Sequence, residues 1–134
     1  MAENVDQNKE KFNWVTERSQ CSLPKIFKEL TLQVEEDVKT RNGLRPPNAP
    51  YEFSSTAKGN EVVVLLKAEG VQKAVAFSLG EHAISVRDNI GVQMFEVTIT
   101  FSNDGHCKLY VHEKEYELWQ VRRMALEDLL FRGN

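Results

Sequence analysis

At 134 residues the chain has the length of one domain, enough to bury a single core without metal or disulfide staples. A hydrophobic share of 41% and a charged share of 28% separate it from disordered chains. The net charge of -3 offers no electrostatic footprint for nucleic acid, and no window approaches the roughly 20 apolar residues of a membrane span, so neither partner is expected.

Met1 to Lys11 is polar and lacks the apolar centre of a secretory leader. Cys21 and Cys107 stand far apart without the spacing of a disulfide framework. Two reduced thiols and a cytoplasmic location are therefore expected. Residues 1 to about 9 carry too few apolar side chains to offset the entropy of ordering them, and should be loose. Phe12, Trp14 and Val15 then mark a segment that docks on the body of the fold. Strand and helical turn both fit it.

Ser22-Leu23-Pro24 is a helix start: serine accepts from free amides, and proline is tolerated in the first turn. Leu23, Phe27, Leu30, Val34 and Val38 follow as one helical face, widened by Ile26. Asn42-Gly43 closes the helix, with glycine expected in the left-handed conformation, giving a helix over 22–42. The proline-rich stretch from Arg45 to Pro50 reads as a stiff connection inside one domain spanning residues 1–134.

From Tyr51 the period changes to two, and a meander is expected over 51–112. Its organising stretch is Val62 to Leu66, five apolar residues in a row, rich in valine and bracketed by Gly59 and Gly70. Val62, Val64 and Leu66 point one way, Val63 and Leu65 the other, so cover is expected on both faces. Phe95, Val97, Ile99 and Phe101 alternate with polar residues, and Asn103-Asp104-Gly105 forms a hairpin turn. Tyr116 and Leu118 either finish a last strand or begin a helix. Val121, Ala125 and Leu129, with Leu126 and Leu130, make a helical face over 119–131, with Gly133 just beyond. The class is α+β: an N-terminal helix, an antiparallel meander of six to seven strands, open or closed into a barrel, and a C-terminal helix packed on the sheet. This order of elements resembles pleckstrin-homology-like barrels and small secretion-chaperone dimers, a likeness of order alone that carries no function.

No catalytic, metal or cofactor signature emerges. His106 and His112 share one strand face while Cys107 points to the other, and no CxxC or HxxxH spacing exists. Cys107 lies between His106 and Lys108, but neighbours in a strand diverge, so it reads as a core thiol. Ser22 is a cap, and no GxSxG elbow is present. Glu35, Glu36 and Asp37 splay around a helix, and no glycine-rich phosphate cradle occurs.

What remains is apolar surface. Val63 and Leu65, with Ala74, Ala76 and Met94, form an interface for a second copy or a protein partner wherever the helices leave that face open. The expected function is a non-catalytic, self-associating interaction module. The alternative is an apolar-ligand protein or enzyme with a pocket between sheet and helix, lined by Phe77, Phe95, Ile99 and Trp119. In a catalytic version Tyr110 and His112 are the first polar candidates. Contact of Arg122 and Arg123 with an anionic surface is a third reading.

Overall fold

A computed structural model describes residues 12–132. The loose segment expected over 1–9, and Gly133, lie outside the described residues. Helix α1 is Trp14–Gln20 and α2 is Leu23–Gly43. Seven strands follow, β1 Tyr51–Lys58, β2 Glu61–Ala68, β3 Val71–Leu79, β4 Ile84–Arg87, β5 Gln93–Phe101, β6 Cys107–Val111 and β7 Lys114–Tyr116. Helix α3, Leu118–Glu127, runs on into a π-helical turn at Asp128–Arg132.

Asn13 settles the first ambiguity in favour of helix. Its side-chain oxygen accepts from the amides of Val15 and Thr16 at 3.0 and 3.1 Å, using two donors that a helix start leaves free. Helix α2 starts as its sequence predicts: Ser22 Oγ accepts from the Lys25 amide at 3.4 Å, with Pro24 in the first turn. Its end differs. Gly43 stays inside the helix and is not left-handed; Leu44 follows at φ -92°. The amides of Leu44 and Arg45 bond back to the carbonyls of Arg41 and Asn42 at 3.1 and 3.2 Å, so short-range bonds satisfy this end.

The strands lie in sequence order in one open antiparallel sheet. A two-residue turn with positive φ at His112 and Glu113, 50° and 67°, releases β7, and Leu118 already belongs to α3. At α3 the Gln120 side chain reaches back to accept from the Glu117 amide at 2.8 Å, which starts the helix without serine or threonine.

Strict alternation sorts the side chains. Val62, Val64 and Leu66 are 0% exposed and share a core with Phe77, Val86 and Val97 from the same sheet face. Leu30, Val34 and Val38 of α2, and Val121, Ala125 and Leu126 of α3, belong to that same core. Both helices therefore occupy one side of the sheet. The expectation of cover on both faces of Val62–Leu66 is corrected accordingly: Val63 and Leu65 are half-buried on a face that no described helix covers. One face is wide enough for two helical stripes, so neither needs to cross to the other.

The two cysteines, expected as separate reduced thiols, are joined as a disulfide with Cα atoms 5.3 Å apart. Cys21 ends α1 and Cys107 opens β6, a pairing that 86 residues of separation conceal. The cytoplasmic expectation loses the support that free thiols gave it. The bond also explains how α1 stays in place, because α1 buries none of its own residues. Just ahead of α1, Phe12 lies against Gly105 in the β5–β6 turn, where a Cβ on Gly105 would stand 2.6 Å from the ring. Both ends of the segment are thus fixed to one hairpin. Reducing the disulfide is expected to strip hydrogen-exchange protection from residues 14–20 while β2 and β3 keep theirs. Exchange mass spectrometry of the oxidised and reduced protein reads the difference; equal protection in both states would mean that packing alone holds α1.

Candidate functional site

Exposed apolar side chains are scattered over several elements, Trp14, Leu32 and Ile90 among them, and two surfaces bear on the predicted sites. The first is the outer sheet face. Leu65 lies between Ser54 of β1 and Ala74 of β3, and Val63 between Thr56 and Ala76. Ala76 in turn faces Arg87. The predicted interface pair thus sits in a low patch of serine, threonine and alanine, with Met94 40% exposed on β5. Charges ring this patch with their opposites beside them. Glu52 faces Lys67, and Lys58 faces Glu61. Lys108 pairs with Asp104 at 2.9 Å and with Glu115 at 3.7 Å.

The Lys108 ammonium, helped by the His106 amide that bonds the same carboxylate at 3.0 Å, holds Asp104 below the ordinary aspartate value. The hydrogen bond to Asp104, foremost, raises Lys108. Lys108 is therefore committed to carboxylates, and Cys107 to Cys21, so the neighbourhood that suggested an activated thiol serves structure instead.

The sheet edges are guarded. In an antiparallel strand the amide and carbonyl of one residue point to the same side. At Phe53 both meet Asn42: the Phe53 amide donates to Oδ1 at 2.9 Å, and Nδ2 donates to the Phe53 carbonyl at 2.7 Å. Arg45 Nη1 donates to the Tyr51 carbonyl at 2.6 Å. The C-terminal end of α2 thereby occupies the outer side of edge strand β1 at Tyr51 and Phe53, the first half of the strand. The opposite edge, β7, is only three residues long. Sequence reading assigned Asn42 to ending the helix; nothing in its local pattern signals a partner eleven residues away.

The second surface is a cleft of about 290 Å³ between α2 and α3, walled by Leu44, Trp119 and Phe131 over Leu126 and Leu130. It separates the four residues predicted to line one pocket. Phe77 and Phe95 are buried, and Ile99 packs against the same core, while Trp119 is 49% exposed in the cleft. Leu44, Arg41 and Phe131 were missed as companions of Trp119. The available signal was that α3 carries more apolar residues than one stripe can bury.

Tyr110 stands on the outer face between Thr98 and Glu115, whereas His112 leaves the strand in the β6–β7 turn. Arg122 bonds Asp37 at 2.7 Å and also Gln33, and Arg123 bonds Glu127 at 3.0 Å. Among the described residues no three histidine, cysteine or acidic side chains gather to hold a metal ion, and no helix is long and apolar enough to cross a membrane. Comparison of the chain with protein-family models, curated proteins and solved structures finds no match in any of the three.

Asn42→Ala should lower stability by about 1–3 kcal/mol, since it leaves the Phe53 amide and carbonyl without protein partners; the urea midpoint measures this. Lys108→Met should return the Asp104 pKa toward the ordinary value, as read by carboxyl NMR. The sign follows from linkage: a lowered carboxyl favours the folded state above its unfolded pKa, and that contribution fades as pH falls through the lowered value.

Proposed function

We propose that the chain is a non-catalytic interaction module that self-associates through its outer sheet face. The observation that carries this reading is the Val63–Leu65 patch, half-buried, covered by no described helix and set among side chains small enough for close approach. Two further features favour a second copy as the partner. A two-fold interface is self-complementary, and this face alternates signs: Glu52 beside Lys67, Lys58 beside Glu61, Lys108 beside Glu115. Each pair can match its reverse on a copy turned over. At about 4.8 by 3.3 Å per strand residue, seven strands of these lengths present roughly 700 Å², close to the roughly 800 Å² per partner of a standard interface. The guarded edges direct association to the face instead of toward strand addition.

Sedimentation velocity at micromolar concentration tests the proposal. The wild-type chain should run at twice its 15.4 kDa mass, and Leu65→Glu or Val63→Glu at the monomer mass with an unchanged circular dichroism spectrum. A wild-type monomer, or dimers unaffected by both substitutions, would remove the outer face from consideration.

A further inference from the structure

The cleft between α2 and α3 presents a different chemistry from the sheet face and is independent of self-association. Three large apolar side chains open into it, Leu44 at 68%, Phe131 at 61% and Trp119 at 49% exposure. One wall is the π-helical turn at Asp128–Arg132, a rare conformation that recurs at functional sites. Against this wall lies Arg41, half-buried, its guanidinium 5.0 Å from the Phe131 ring centre, 5.1 Å from Phe53 and 5.7 Å from Tyr51.

Arg41 differs from the other two arginines of the cleft. Arg122 and Arg123 have carboxylate partners, Asp37 and Glu127. Among the described residues no carboxylate pairs with Arg41. Its Nε donates to the Leu130 carbonyl at 2.7 Å, and Nη2 reaches the Tyr51 hydroxyl at 3.5 Å. A guanidinium has five N–H donors, so donors remain. A partly buried cation held by rings and neutral oxygens gains most from a counter-ion that brings its own apolar cover.

We propose that this cleft binds a medium-chain alkyl carboxylate, with its head on Arg41 and its chain against Leu44, Trp119 and Leu126. Charge complementarity selects the head, and the apolar walls select the tail. The volume, about 290 Å³, lies at the small end for ligand sites and excludes long-chain tails.

Calorimetric titration with decanoate, below its micelle concentration, tests the assignment against decyl maltoside and decyltrimethylammonium. Decanoate should saturate one site and shift the tryptophan emission, and the shift should vanish in Trp119→Phe while the heat of binding persists. The neutral and cationic probes should bind at least about ten-fold more weakly, the worth of one charge-assisted hydrogen bond. Leu44→Asp, at an exposed position and with an unchanged circular dichroism spectrum, should abolish decanoate binding by placing an anion in the cleft. Arg41→Lys should weaken it, since an ammonium cannot supply the same fork. Equal binding of the anionic and cationic probes, an undiminished Leu44→Asp variant, or no saturation at millimolar decanoate would each overturn the proposal.

Discussion

The structure depends on one packing decision: Leu30, Val34 and Val38 of α2 enter the same core as Val62, Val64 and Leu66 of β2. Burying an aliphatic side chain contributes about 1.5–3 kcal/mol, whereas an exposed ion pair contributes about 0–1 kcal/mol. Three fully buried aliphatics on one strand therefore outweigh the charges along the sheet margin in fixing register. A slip by one residue would send all three to the solvent face. Once that parity is set, antiparallel pairing passes it along: Val62 faces Phe77, Phe77 faces Val86, and Val86 faces Phe95. The irregularity at Val86/Arg87 follows this row and leaves it intact.

The same commitment creates the outer face. Every side chain of the opposite parity is excluded from the core, and with α2 and α3 both inside, no described helix covers it. The chain protects itself at the edges. Asn42 does two things from one position: its carbonyl accepts the Arg45 amide at the end of α2, and its side chain closes β1 at Phe53. Helix α1 follows another logic. It lies outside the core and is fixed by the Cys21–Cys107 bond and by Phe12 on Gly105, so its position owes nothing to a buried stripe.

Local signals were legible where local physics determines the outcome. The Ser22 cap, the stripe from Phe27 to Val38, the alternation of β5 and the hairpin turn at Asn103–Gly105 each record an interaction among near neighbours, and each stands where it was expected. The α+β class follows from those elements. Long-range pairings were not legible. Cys21 and Cys107 gave no spacing to read, and Asn42 looked like a helix terminator because its second partner is reached only through the fold. The four residues expected around one pocket lie apart for a related reason. Periodicity marks Phe77, Phe95 and Ile99 as inward, yet it cannot distinguish lining a cavity from filling the space where a cavity would be. Trp119 resembled them in composition, although its turn of α3 faces α2 and not the sheet core.

Single exposed apolar residues are ordinary on soluble proteins and require no explanation. The outer face departs from that pattern by arrangement, not by total. A strand adapted only to water would alternate lysine or glutamate with its core residues; β2 does so at its ends, Glu61 and Lys67, and places valine and leucine between them. The neighbours in register are alanine on β3 and serine or threonine on β1, which add little relief and no charge. Charge flanks this centre, with Glu52, Lys67, Lys58 and Glu61 at the ends of β1 and β2 and Arg87 beyond Ala76. The apolar centre with charge on either side of it follows from the strand parity that also builds the core.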